Sequence, residues 1–172
     1  MADWPVPGYS VYSGSSLDRA LLLKFMHLTY RELYPEQSFE HLALTVERYL
    51  SSKTPIWWVA QNSRTSQSSE SNIERHLVTG TPCFPVACLW MGSATDQVEG
   101  DSIAYIFLIY VAPPHRRQGI AAALIAEAEI WVRRQGDRKI SLQVFSQNQP
   151  ALNLYQKLGY QVKSMTLQKS LL

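Results

Sequence analysis

Three observations predict a layered α/β fold built on a mixed sheet. The residues from Ile103 to Val111 are almost all apolar, which is typical of a central strand buried on both faces. The segment from Gln118 to Gln135 repeats apolar residues at helical spacing. Ile140, Leu142 and Val144 then alternate with polar residues, as a strand does. A strand, a helix and a strand in this order pack as layers of one domain.

The first half of the chain predicts two strands separated by two helices. A short strand is expected at Tyr9–Tyr12. Apolar spacing predicts a helix from Leu17 to Tyr30 with Ser16 as its N-cap, and a second helix from Ser38, its N-cap, to about Leu50. The β-branched and aromatic run from Ile56 to Ala60 predicts the next strand.

The second half begins with a polar segment at 62–72 that contains no apolar residue and predicts a mobile, serine-rich loop. We expect one domain over residues 1–172, with this loop as an insertion. A strand is expected from Pro85 to Met91, followed by a polar turn from Gly92 to Gly100. A short helix follows Asn148 and ends at Gly159, and weak alternation from Tyr160 to Leu167 predicts the last strand.

Composition excludes several classes of protein. The chain of 172 residues is 46% hydrophobic and 17% charged, so it is not globally disordered. A formal net charge of +2 does not imply nucleic-acid binding. The longest apolar run, Ile103 to Ala112, is too short to cross a membrane. Cys83 and Cys88 complete no metal site with other cysteines or histidines, and without a secretory signal we expect free thiols in a cytoplasmic protein.

A basic turn joins the central strand to the long helix. A helix start offers unpaired backbone N–H groups and the positive end of the helix dipole. Gly119 lets an anion approach the backbone, while Arg116 and Arg117 add positive charge. The turn therefore predicts a site for a diphosphate; the alternative is an ordinary turn with solvated arginines.

The segment from Arg116 to Ala121 resembles the acyl-CoA loop of the GNAT superfamily of N-acetyltransferases, which reads Arg or Gln, two residues, Gly, one residue, and Gly or Ala. The resemblance extends over Ile103 to Tyr160 and includes Asn148, Ala151, Leu154-Tyr155 and Gly159-Tyr160. It implies a GNAT-like mixed, largely antiparallel twisted sheet with helices on both faces. It also implies transfer of an acyl group from acetyl-CoA, the co-substrate, to a primary amine.

The resemblance assigns a role to each matching position and implies no metal. Asn148 would hydrogen-bond the pantetheine arm, and Tyr155 would protonate the departing thiolate, although Tyr155 also fits the buried face of its helix. Arg116 would assist the binding of the cofactor. Backbone groups would hold the pantetheine at Ile109, Tyr110 and Val111, and the pyrophosphate at Arg117, Gln118, Gly119, Ile120, Ala121 and Ala122.

The general base is not identified by the resemblance. Members of the superfamily place a glutamate where this chain has Tyr105 or Gln143. Either water relays the proton or a residue of the variable half takes it, with five candidates: Glu32, Glu36, His41, His76 and His115. Because no carboxylate stands at either position, a catalytically silent acyl-CoA-binding module is the alternative function.

The acceptor is expected to bind near the connection between the first two helices, residues 31–38. It would be an amine on a small molecule or on a protein or peptide, and a homodimer is left open. Aromatic residues would line the pocket, or else pack in the core: Tyr30, Tyr34, Trp57, Trp58 and Trp90.

Overall fold

The computed structural model describes residues 4–62 and 84–171. Within these ranges the chain forms one five-stranded sheet whose strands lie in sequence order. The strands are β1 (Tyr9–Ser13), β2 (Ile56–Gln61), β3 (Ala87–Thr95), β4 (Ser102–Val111) and β5 (Ile140–Leu142). The helices are α1 (Arg19–Leu33), α2 (His41–Tyr49), α3 (Ile120–Arg134) and α4 (Gln149–Lys157). Strands β1 to β4 pair antiparallel and β4 pairs parallel with β5, which confirms the mixed, largely antiparallel sheet.

Helices cover both faces of the sheet, as expected. On one face, Leu22 and Phe25 of α1 and Leu42 of α2 are buried against β2, β3 and β4. On the other face, Leu124 of α3 and Tyr155 of α4 are buried. Burying one large apolar side chain contributes about 1.5–3 kcal/mol, so these two cores hold the layers together.

Strand β4 carries a β-bulge at Phe107. The pairing with β3 jumps from Met91↔Ile106 to Trp90↔Leu108, so Phe107 has no counterpart in β3. A bulge of this kind bends the strand and reverses the alternation of its side chains. Accordingly, Ile106 is buried under α3 and Leu108 is buried on the opposite face, under α1 and α2. Both faces of β4 therefore pack against a core, as expected, although only alternate residues are fully buried.

The helix starts differ from the predicted caps. Ser15, rather than Ser16, accepts a hydrogen bond from the Leu17 N–H and caps a short 3₁₀ turn that leads into α1. Ser38 does not cap α2, which begins at His41 with no side-chain cap at all. Any of several serines near a predicted helix start can act as the N-cap, and the backbone path in the folded chain determines which of them does.

Strand β3 is longer than predicted, because it continues through Gly92 to Thr95. A Cβ at Gly92 would lie 2.7 Å from the Phe107 ring and 3.0 Å from the Thr54 methyl group. Gly92 therefore permits close packing within a strand, rather than marking a turn.

The predicted last strand, Tyr160–Leu167, is absent: residues 160–171 form no helix or strand. Its apolar side chains are exposed, with Val162 75% and Leu167 91% accessible. An alternating pattern forms a strand only where it pairs with a neighbouring strand, and residues 160–171 pair with none of the described strands.

Most of the serine-rich loop, together with Cys83 and His76, lies outside the described residues. Cys88 is a free, fully buried thiol. None of the helices within 4–62 and 84–171 has the length and apolarity required to cross a bilayer.

Candidate active site

Strands β4 and β5 part from each other partway along β4. They pair only from Ala104↔Ile140 to Ile106↔Leu142, whereas β4 continues to Val111. The Ala112 N–H donates to Val86 on the β3 side, so the alternate residues Ile109 and Val111 present their backbone groups to the open side. The gap therefore offers a strand edge that an extended ligand arm can join.

The basic turn after β4 collects unpaired backbone donors. The backbone is left-handed at Arg117 (φ 62°) and again at Gly119 (φ 85°). In the part of the chain that the structure describes, the N–H groups from Arg117 through Ala122 have no hydrogen-bond acceptor. A helix start alone leaves about four such groups, and left-handed residues beside right-handed ones turn successive N–H groups into an anion-binding concavity.

Gly119 leaves this concavity open. A Cβ placed on Gly119 would meet no atom within 4 Å, so the space in front of the backbone is free. Because its φ is positive, any other residue except asparagine or aspartate would also be strained there.

The Arg116 side chain is committed to other groups. Its terminal nitrogen lies 2.7 Å from both carboxylate oxygens of Glu32, and its Nε donates to the Val111 carbonyl at 2.8 Å. The guanidinium carbon also lies 5.8 Å from the centre of the Tyr110 ring. Arg116 thus ties the last turn of α1 to the turn after β4, and its direct role in cofactor binding stays a prediction.

A second set of contacts anchors the turn to β1. The buried Tyr9 hydroxyl donates to Gln118 Oε1 at 3.0 Å and lies 2.9 Å from His115 Nδ1. Because the Tyr9 hydroxyl proton points to Gln118, the Tyr9 oxygen accepts a hydrogen bond from His115 Nδ1–H. The side chains of Gln118 and His115 therefore hold the turn in place.

Helix α4 brings Asn148 and Tyr155 toward the sheet. Asn148 caps the helix by accepting a hydrogen bond from the Ala151 N–H at 3.3 Å, which leaves its amide N–H groups available as donors. Tyr155 is buried, and burial raises the pKa of its phenol to about 12. The Tyr155 ring packs against Tyr160, with ring centres 5.7 Å apart.

A cavity of about 540 Å³ opens on the α1–α2 face. It reaches the point where the strands part, because Ile106, Phe107 and Gln143 are in its wall. None of the described residues that line it is charged. The described lining residues are Met26, Tyr30, Thr45, Tyr49, Ser93, Ala94, Thr95, Tyr105, Ile106, Phe107, Gln143 and Phe145.

The predicted aromatic residues divide between this cavity and the core. Tyr30 lines the cavity. Tyr34 is not among the described lining residues, but its ring centre lies 5.3 Å from that of Phe145, which is. The three tryptophans do not line it: Trp58 and Trp90 are 1% and 0% exposed in the core, and Trp57 packs on Trp131 of the opposite face. Tyr30 therefore lines the cavity, whereas Trp57, Trp58 and Trp90 follow the alternative, which was packing in the core.

The four candidate bases that the structure describes are not among the described lining residues. Glu32 is paired with Arg116, His115 contacts Tyr9, and Glu36 and His41 are exposed. Sequence reasoning missed the part of the wall formed by Phe145, Thr45 and the end of β3. A position just past a strand end was the only local signal for Phe145.

Comparisons with known proteins agree on one family. The model of the "Acetyltransferase (GNAT) family" matches residues 25–160. YycN of Bacillus subtilis, an uncharacterized N-acetyltransferase, is 33% identical over 86 residues, which are 50% of this chain and 54% of YycN. The aminoglycoside N(6')-acetyltransferase type 1 of Acinetobacter haemolyticus is 30% identical over 92 residues, which are 54% of this chain and 52% of that enzyme. The chain thus spans about half the length of these relatives.

A solved structure extends the likeness to nearly the whole fold. A predicted acetyltransferase of Clostridium acetobutylicum, crystallised with acetyl-CoA, superposes with a TM-score of 0.67 at 16% identity. The match covers 95% of this chain and 96% of that one. With the parted strands, the turn of unpaired N–H groups and the family match over residues 25–160, the chain belongs to the GNAT family of acetyltransferases.

Proposed function

We propose that the protein transfers the acetyl group of acetyl-CoA to a primary amine by direct attack. The observation that carries this proposal is the row of unpaired N–H groups from Arg117 to Ala122, adjoining the gap between β4 and β5. The cavity on the α1–α2 face meets the same gap. The proposed sites for the diphosphate, the pantetheine arm and the acceptor amine therefore adjoin one another.

The residues present fit the co-substrate. The N–H groups of the turn and the open space at Gly119 suit the pyrophosphate. The free backbone edge at Ile109 and Val111 suits the amide-bearing pantetheine arm, and the Asn148 amide is available to donate to it. When bound, acetyl-CoA supplies the activated acyl carbon as a thioester.

Tyr155 acts at the leaving sulfur. The C–N bond forms as the C–S bond breaks. The amine nitrogen gives its proton to water and the departing CoA sulfur takes one from water, so that the products are an amide and a free thiol. A phenol with a pKa of about 12 stays neutral and donates a hydrogen bond to the developing thiolate. Full proton transfer to a thiolate of pKa about 8.5 would be uphill by roughly 5 kcal/mol, so this hydrogen bond, rather than complete transfer, is the contribution of Tyr155.

Backbone donors at the parted edge of β4 would stabilise the oxyanion that develops on the thioester. A preorganised N–H in such a position contributes about 3–4 kcal/mol. Ile109 and Val111 are the residues whose N–H groups face the gap.

The amine has to arrive neutral, since Tyr105 and Gln143 stand in the cavity wall and neither is a carboxylate. Water would carry the amine proton away. The rate should therefore follow the fraction of acceptor that is unprotonated, and an α-amine of pKa about 8 needs less help than a lysine near 10.4.

Release of free thiol from acetyl-CoA with a panel of primary amines tests the proposal. Amine-dependent release, together with acetyl-CoA binding measured by calorimetry, is the expected result. The missing carboxylate favours the alternative of a silent acyl-CoA-binding module. Tight acetyl-CoA binding with no thiol release from any amine would establish that alternative instead.

A further inference from the structure

The cavity that meets the parted strands differs in chemistry from a site for a polycation. Its wall includes the aromatic rings of Tyr30, Tyr49, Tyr105, Phe107 and Phe145. Among its described lining residues no aspartate, glutamate, lysine, arginine or histidine is present. The volume of about 540 Å³ admits a small molecule of many kinds, so the lining has to supply the selectivity.

The tyrosines in the wall do not supply negative charge at neutral pH. Burial raises the pKa of Tyr30, and burial together with the neighbouring Tyr30 raises the pKa of Tyr105. Both phenols therefore remain neutral well above pH 8. Their rings still offer apolar surface and electron-rich faces.

The carboxylate nearest along the chain is engaged by other groups. Asp96 follows Thr95 at the end of β3, and Lys139, which also pairs with Glu99, places its Nζ 3.7 Å from Asp96 Oδ2. The other oxygen of Asp96 accepts the N–H groups of Val98 and Glu99 in the turn between β3 and β4. Asp96 is thus committed to this turn and to Lys139.

From this lining we propose that the acceptor is a monoamine whose amino group sits on an uncharged aromatic or aliphatic body, not a polycation. The proposal rests on the acetyl-transfer function proposed above and specifies its substrate class. An aromatic body gains ring contacts with the cavity wall. A single ammonium group, before it loses its proton, is stabilised by the electron-rich faces of the tyrosine rings. Each further ammonium group would be desolvated with no opposing charge among the described lining residues.

Binding to the full-length protein saturated with CoA tests this directly, without requiring turnover. Calorimetry with phenethylamine, spermidine and kanamycin is expected to show at least about tenfold tighter binding of phenethylamine than of either polycation. Equal or tighter binding of spermidine or kanamycin, or no binding of phenethylamine, would overturn the proposal. Because these outcomes do not depend on thiol release, they are separate from failure of the proposed function.

A charge variant adds an independent test. Ala94 lines the cavity and is half-buried. A Cβ at Gly92 would point to Phe107 of the cavity wall, so Ala94, two residues further along β3, is on the same face, and Ala94→Asp places one carboxylate in the wall. The matched control is Ser102→Asp, on the neighbouring strand and outside the lining. Ala94→Asp should tighten binding of 1,4-diaminobutane relative to phenethylamine by about fivefold, while Ser102→Asp leaves the ratio unchanged. An equal shift in both variants, or none in Ala94→Asp, would contradict the assignment of this cavity.

Discussion

Replacement of Gly119 by alanine should weaken acetyl-CoA binding far more than it weakens the fold. Gly119 has a φ of 85°, and its Cβ would point into open space rather than into a neighbour. The left-handed conformation costs an alanine about 1–2 kcal/mol, which lowers the Tm of a chain this size by about 2–8 °C. The new methyl group would also occupy the approach to the unpaired N–H groups. Losing one charge-assisted hydrogen bond of about 1.5–3 kcal/mol weakens binding roughly 10- to 100-fold.

Gly136 provides a matched control for this substitution. Its φ is 88°, and a Cβ there also meets nothing within 4 Å, but it follows the far end of α3. Gly136→Ala should lose a similar amount of stability in calorimetric melts and bind acetyl-CoA like the wild type. Equal acetyl-CoA affinities for Gly119→Ala and Gly136→Ala would refute the assignment of the diphosphate site.

Four further perturbations test other parts of the structure. Tyr155→Phe should lower kcat by about 10²-fold and leave acetyl-CoA affinity intact. Because the phenol has a pKa of about 12, ionisation of Tyr155 should cause no fall in the wild-type pH–rate profile below about pH 10. Glu32→Gln breaks the half-exposed pair with Arg116, so denaturant melts should change by less than about 1 kcal/mol, whereas the KM for acetyl-CoA should rise as the turn loses its tether. Leu124→Ala, at a fully buried position, should cost about 2–5 kcal/mol in urea unfolding. Burial raises the pKa of the Cys88 thiol, so above about pH 8.5 the unfolded chain binds fewer protons than the folded one and the free energy of unfolding falls. Cys88→Ala should flatten that decline between pH 8 and 10, and an unchanged slope would contradict this prediction.

The residues of the proposed cofactor half of the site lie in short contiguous stretches of sequence. The turn from Arg116 to Ala121, the cap at Asn148 and the buried position of Tyr155 depend on neighbours a few residues away. Local rules for glycine, helix starts and caps therefore sufficed to predict them. The same rules failed at Gly92, where a glycine read as a turn serves close packing against Phe107.

The acceptor half of the site depends on contacts between distant residues. The bulge at Phe107 becomes visible only when β4 is aligned with β3. It explains why Ala104 and Ile106 face one core while Leu108 and Tyr110, which continue the same alternation, face the other. Tyr30 and Phe145 are far apart in the chain, yet their rings meet at 5.8 Å in the cavity wall.

The chain by itself determined the order of the elements from β1 to α4, the glycine-containing basic turn after β4 and the family. Only the tertiary structure decided which aromatic residues line the cavity and that no charged residue stands among its described lining. The physical reason is that backbone conformation at a turn follows from its own residues. The lining of a cavity is instead a property of surfaces that the chain brings together after it folds.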